Sequence, residues 1–312
     1  MATNNQAPFI ISPVYTSIAV MYRNGDFIAD RAMPRVLVGS PTFRYGVHRL
    51  GDWFNIPDTK VGRTSRPGQV ETGVDEAEAS TEDYAIDVPV PNYDMAVAPP
   101  NWDPYARAVE YGANVIALDR EKRVSDILFN AANYATANKT TLVGAAQWSD
   151  GASNPYIAIT DAMRGMLVAP TKLVIGATAY YALARHARIL DAMAGTTGAR
   201  REATAEQIAG LLGLSEIIVG RAKVNTAKKG QTPALTDIWG DKAALIVDGS
   251  ASGDVTAGNS FAITAQFQTA ISGTIEDPNL GMRGGRYVRT GEAVKELLTA
   301  TDLGFLWSDV VA

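Results

Sequence analysis

The feature that most constrains this chain is a long amphipathic stretch at 101–137. Val109, Ala113, Ile116, Val124, Ile127, Leu128, Ala131 and Tyr134 recur about three and four residues apart, which marks one apolar helical stripe. The other face carries Arg107, Glu110, Asp119, Glu121, Lys122 and Asp126. Asp103 is a good N-cap, and Pro104 suits the first helical position, where its missing N–H costs nothing. About 35 residues rising ~1.5 Å each predict a rod of roughly 50 Å. A helix well above the mean length acts as a structural spine. Asn138-Lys139-Thr140 ends it; the glycosylation sequon those residues spell is expected by chance.

Nothing before the spine owns a core. Residues 1–56 hold short apolar runs broken by turn signals, with no amphipathic helix of useful length, and read as an extended arm that leans on another element. Residues 57–90 are rich in Gly, Thr, Asp and Glu, with alternating pieces such as YAIDVPV, and predict a long two-stranded loop. An isolated ribbon is only marginally stable, so it must pack on something else.

The net charge of −5 sits entirely in this first third. Residues 31–66 carry +5, residues 67–103 carry −9 with no base at all, and residues 104–312 balance. Two readings stand. The charges belong to a solvated loop, or they line an arm whose opposite-sign stretches meet complementary surfaces of neighbouring copies, where charge sets register and partner choice. The second reading singles out basic Lys60, Arg63 and Arg66 and acidic Asp75, Glu76 and Glu78 as subunit-interface residues.

After the spine the chain alternates. Asn154-Pro155 opens a helix running to about 167, TKLVIG (171–176) is a buried strand, and 177–193 is a helix. A Gly-rich loop leads to a helix at 205–212 ended by Gly213, followed by strands at 216–224 and 242–249. That order argues a compact α/β unit over 150–250. The remainder is strand-rich: 260–268 alternates, and within 285–311 the piece EAVKELL reads as strand despite its helical look.

Chemistry is scarce. No cysteine is present among the 312 residues, so disulfides, thiolate metal sites and Cys nucleophiles are excluded. His48 and His186 cannot form a three-His zinc site. His186 lies in ALARHARIL and is expected mid-helix, at a surface or interface. Phosphate-loop and dinucleotide fingerprints are missing, and GSASG (249–253) has Ala251 where a nucleophile elbow needs Ser. The basic cluster Arg221, Lys223 and AKKG (227–230) reads as an exposed loop, and Trp148, Trp239 and Trp307 as packing anchors. Neither a signal peptide nor a membrane span is expected, and the mild acidity argues against dedicated DNA binding. No catalytic, cofactor or metal site is predicted.

The central stretch resembles a known family. GAAQWSDGASNPYIAITDAM supplies a Trp148-Ser149-Asp150 turn, then Asn154-Pro155 and a helix bearing Ile159, Ala162 and Met163. PTKLVIGATAYYALARHARILDAM follows as strand, helix and His186, with Ala187 where the family pattern has Pro. ATAEQIAGLLGLSEIIVGRAKVNTAKKG and IWGDKAAL complete the order. These pieces resemble the major capsid proteins of tailed bacteriophages, the Hong Kong 97-like coat fold.

The resemblance implies an α+β fold with an N-terminal arm (1–45), an extended loop (46–100), a peripheral domain with the spine helix (101–150 and 251–312) and an axial domain (151–250). It implies a non-enzymatic protein that self-assembles as hexamers and pentamers of an icosahedral shell around double-stranded DNA, bound without sequence specificity. The shell would be a virion capsid, assembled in the host cytoplasm. Portal and decoration proteins are implied partners; no long helical segment precedes the arm, so any scaffolding protein is expected to be a separate chain. Some family members cross-link their loops through a Lys; Lys60 is the one Lys in this loop, but no partner motif accompanies it. The nearest variant is an encapsulin-like compartment shell, and the alternative class is an enzyme on the α/β segment, which would need a polar cleft near His186.

Overall fold

The computed structural model describes residues 9–21, 24–47, 56, 58–69, 75–197, 202–228, 230–249 and 260–312. The elements begin with β1 (Ile10–Ile11), α1 (Pro13–Met21), α2 (Ala29–Ala32), β2 (Arg35–Val38), β3 (Thr42–Val47), β4 (Asp75–Ser80), β5 (Glu82–Pro91), α3 (Asn92–Val97) and the spine α4 (Pro104–Leu128). Next come β6 (Lys139–Thr141), α5 (Pro155–Gly165), β7 (Lys172–Gly176), α6 (Ala177–Arg185), α7 (Ala187–Thr197) and α8 (Ala205–Leu212). The chain finishes with β8 (Glu216–Gly220), β9 (Lys223–Asn225), β10 (Leu235–Asp237), β11 (Ala243–Ile246), β12 (Ala262–Asp277), β13 (Gly285–Leu298) and β14 (Gly304–Ser308).

Two five-stranded sheets organise the molecule. In the first, the long antiparallel pair β12–β13 is flanked by β5 on the β13 side. Both N-terminal strands lie on the other edge of β12, β2 parallel to its first half and β1 antiparallel to its second. Between these halves β12 bulges. Phe267 pairs with Ala293 and Ile271 with Gly291, so β12 carries two extra residues there, and Gln268 takes a left-handed φ of 62°. The second sheet runs β6-β14-β11-β7-β8 and is surrounded by α5 to α8.

The spine connects the two. Asp103 accepts the Tyr105 N–H at 2.9 Å, as its N-cap position predicts. The first half of α4 buries Tyr105, Ala108 and Val109 against Ala19, Val90 and Val288. Its last turns bury Val124 and Leu128 in the large core of the second sheet, with Leu173, Ile175, Leu183, Ile218 and Leu306. Gly112 sets the closeness of helix to sheet. A Cβ there would stand 3.3 Å from Thr290 Oγ1 and 3.5 Å from an Ile86 methyl.

Several expectations are corrected. The spine has 25 residues and stops at Leu128 rather than near 137. The reason lies in its terminal carbonyls. Asn133 Nδ2 donates to the Ile127 carbonyl at 2.8 Å and the Tyr134 hydroxyl to that of Leu128 at 2.6 Å, so these side chains fold back as a cap. Burial pushes the Tyr134 phenol well up. The arm contains a helix, α1, which buries Ala19 with Tyr15 and Ile18 alongside. It carries no charge, so its helicity comes from packing on α4 and β12 rather than from amphipathic patterning.

The predicted loop also divides differently. Its ribbon is β3 with β4, whereas β5 is a full strand of the first sheet. The predicted helix 177–193 is two helices broken at His186. The last strand, grouped by sequence with β12 and β13, instead pairs with β11, because Leu306 and Trp307 find their burial in the second core. As read from sequence, EAVKELL is strand within β13, and α8 ends at Gly213.

Candidate functional site

The ribbon places the residues singled out for subunit contacts. β3 and β4 pair from Thr42 opposite Ser80 to Val47 opposite Asp75. One face is apolar, and Phe43, Tyr45 and Ala79 rest on Val36, Val38, Ile263, Ala265 and Leu297. The ribbon therefore borrows its core from β2, β12 and β13. On the other face Arg44 Nη1 meets Glu76 Oε2 at 3.2 Å, both largely exposed. Glu78 stands opposite Arg44 in register and is exposed.

Lys60, Arg63 and Arg66 lie beyond the ribbon in 58–69, which forms neither helix nor strand. All three are exposed, and their side chains make no ion pair among the described residues. Among the described residues the basic stretch makes no ion pair with the acidic one: Glu76 pairs with Arg44 instead. Asp75 begins β4, opposite Val47.

A second charged assembly, missed at the sequence level, joins arm to spine. Arg120 is 2% exposed, donates to Asp30 Oδ1, and through Nη2 reaches the Met33 carbonyl at 3.2 Å and Thr264 Oγ1 at 3.0 Å. Arg35 bridges Asp30 at 2.7 Å and Glu292 at 2.5 Å. Burial opposes ionisation of Asp30, but the Arg120 and Arg35 guanidiniums outweigh it and hold its carboxyl below the usual range. Burial likewise works against the Arg35 charge, and Glu292 and Asp30 more than restore it.

Glu121, expected on the solvent face, is completely buried. One oxygen accepts the Ala29 N–H at 2.5 Å and the other the Trp239 indole N–H at 2.8 Å. Burial pushes its carboxyl up, and these hydrogen bonds only partly offset that. The signal was present: Arg120 and Glu121 fall seven and eight residues after Ala113, on the apolar stripe rather than opposite it. Trp239 in turn stacks edge-on to Phe129, with centroids 5.6 Å apart. A Cβ on Gly220 would fall 2.2 Å from its ring, so the neighbouring strand end must be glycine.

Alongside this junction is an open cavity of about 530 Å³ between α1, α2, α4 and the β12 bulge, lined by Asn24, Phe27, Leu37, Ile116, Thr269 and Glu292 among others.

His186, expected mid-helix at a surface or interface, is instead buried within the chain at the α6–α7 break. Its Nδ1 accepts the Arg188 N–H at 3.2 Å, which leaves the proton on Nε2, 3.0 Å from Ser153 Oγ. Ser153 donates to the Asp150 carbonyl at 2.8 Å. This is a tie between the Trp148-Ser149-Asp150 turn and the helix break, with no carboxylate among the described residues to orient the imidazole as a base. His48 and residues 250–253 of the GSASG piece lie outside the described residues. Lys223 pairs with Asp237 at 2.5 Å. Trp148, Trp239 and Trp307 are buried anchors. Among the described residues no acidic or His cluster could hold a metal ion, and no helix is long and apolar enough to cross a membrane.

No protein-family model matches the chain. It is 44% identical over 308 residues, 99% of each chain, to the major capsid protein of Pseudomonas phage JBD67. It is 25% identical over 317 residues to the major capsid protein of Burkholderia phage BcepMu, covering 96% of this chain and 97% of that one. Among solved structures it resembles a phage-related protein from Bordetella bronchiseptica RB50, with a TM-score of 0.75, 22% identity and 98% and 99% of the two chains covered.

Proposed function

The chain belongs to the phage major capsid proteins, and on that premise we propose that its copies assemble as hexamers and pentamers of an icosahedral shell around double-stranded DNA. Its fold is of the Hong Kong 97 type, its role is structural rather than catalytic, and its place is the virion capsid. The observation that carries the proposal is the 44% identity along the full length to a phage major capsid protein.

In this reading the first sheet with the spine is the peripheral domain, the second sheet the axial domain, and the ribbon with 58–69 the extended loop. The cations Lys60, Arg63 and Arg66, unpaired within the described chain, meet acidic surface on a neighbour, while Asp75, Glu76 and Glu78 present the complementary charge. Exposed pairs of this kind act mainly on association rate and salt dependence. Packaged DNA is held without base readout, through screened phosphate attraction. Assembly takes place in the host cytoplasm, with portal, scaffolding and decoration proteins as further partners.

The test is to purify the protein, follow it by size-exclusion chromatography, and image it by electron microscopy. Closed particles with five- and six-fold capsomers are expected. A compact monomer at every concentration would overturn the reading.

A further inference from the structure

The link between α1 and α2 carries a reactive pair of residues. Asn24 is the one asparagine in the chain followed by glycine. It opens a turn in which the Phe27 N–H donates to the Asn24 carbonyl at 3.1 Å and the Asp26 N–H to Asn24 Oδ1, also at 3.1 Å. The second bond withdraws electron density from Cγ and holds the side chain against its own backbone. Gly25 is exposed, and its N–H has no acceptor among the described residues. Nothing in the fold demands glycine here: its φ lies outside the left-handed range, and an added Cβ would meet nothing within 4 Å.

We propose that Asn24–Gly25 is a self-modifying site, at which water alone converts the asparagine into an aspartyl or isoaspartyl linkage and thereby loosens the docking of the arm. Solvent hydroxide removes the Gly25 amide proton, and that nitrogen attacks Asn24 Cγ. The bond from Cγ to the side-chain nitrogen breaks, and the nitrogen leaves with a proton from water as ammonia. Water then opens the five-membered imide at either carbonyl. The net change is one water consumed and one ammonia released, with no oxidation or reduction.

The location gives the reaction a consequence. Asn24 lines the cavity beside Asp30 and Glu292, whose charges Arg35 and Arg120 already balance. A new carboxylate there adds a third negative charge beside these two, without a partner among the described residues. Opening toward the isoaspartyl product also adds a backbone atom between α1 and α2, both of which are seated on the spine, and dissolves the turn that Asn24 holds.

The experiment ages the folded full chain at mildly alkaline pH. Peptide mass mapping across 24–31 and isoaspartyl methyltransferase labelling follow the product, and hydrogen exchange is read at Phe27. Product is expected to accumulate at Asn24 ahead of every other asparagine, faster at higher pH, with quicker exchange at Phe27. In Gly25→Ala the reaction should slow on the order of tenfold, because a Cβ shields the attacking nitrogen, and exchange at Phe27 should stay at its starting value. Two results would overturn the proposal: an intact Asn24 amide in the folded chain while the urea-unfolded chain reacts there, or equal ageing of Gly25→Ala and wild type.

Discussion

The Trp239 indole N–H donates to Glu121 at 2.8 Å, while the other oxygen of that carboxylate takes the Ala29 N–H at 2.5 Å. One buried side chain on the spine thus holds the first residue of α2 and the turn that precedes β11. Arm, spine and second sheet meet at this carboxylate. Lys172 and Arg31 reinforce the same corner, Lys172 Nζ donating to the Arg31 carbonyl at 3.1 Å and Arg31 pairing with Glu216.

Glu121→Ala should destabilise the chain strongly, because two buried donors lose their acceptor at once. Each unsatisfied group costs about 1–3 kcal/mol. Denaturant unfolding followed by Trp fluorescence measures the loss. Glu121→Gln keeps an acceptor for one donor and should fall between Ala and wild type.

Arg120→Met should cost about 1–3 kcal/mol, because the buried Met33 carbonyl and Thr264 hydroxyl lose a charged donor, while half-exposed Asp30 keeps Arg35. Arg120→Lys should not restore it, since one ammonium cannot span Asp30, the Met33 carbonyl and Thr264 in the geometry of the guanidinium fork. Equal stability of the Lys variant and wild type would refute the assignment of those three bonds.

Asp30 gives the junction an acid limit. Its carboxyl sits below its ordinary value of 3.8 when folded, so the folded chain binds fewer protons than the unfolded chain through that window. Its contribution is complete above the unfolded value and disappears as pH falls through the lower, folded one. The stability gap between wild type and Asp30→Asn should therefore be widest near neutrality and close in acid. A gap that stays constant with pH would remove Asp30 from the clamp.

Reversing Arg63 and Arg66 to Glu should leave unfolding within about 0.5 kcal/mol of wild type, as exposed positions without partners do. Particle yield should fall and its salt dependence change. Normal yield would exclude these cations from the contact between copies.

Ala187→Pro should raise stability by about 0.4–1 kcal/mol. His186 has φ −68° and ψ 130°, which a following proline favours, and Ala187 is the first residue of α7, where no N–H bond is lost. Thermal unfolding checks the sign.

Local signals carried far into this fold. Asp103-Pro104 and Asn154-Pro155 mark their helix starts because the capping bonds are made within three residues. The end of α4 was hidden, since Ala131 and Tyr134 continue the helical spacing while the Tyr134 hydroxyl turns back onto Leu128. Glu121 was read as solvent-facing although its spacing from Ala113 set it on the apolar stripe; what no window along the chain contains is its partners, 92 and 118 residues away. The same separation concealed the site of β14. Lys60, Arg63 and Arg66 were legible as a basic block with Asp58 as their nearest acid in sequence, and what they meet lies beyond any reading of one chain.

The double rooting of α4 has a mechanical consequence. Val109 is locked into one core and Val124 into the other, about four helical turns further along the same rod, so turning one sheet against the other must either bend the rod or extract a buried side chain. A single copy is therefore stiff along this rod, and a shell of such copies would take up curvature at the contacts between copies while every body kept its shape.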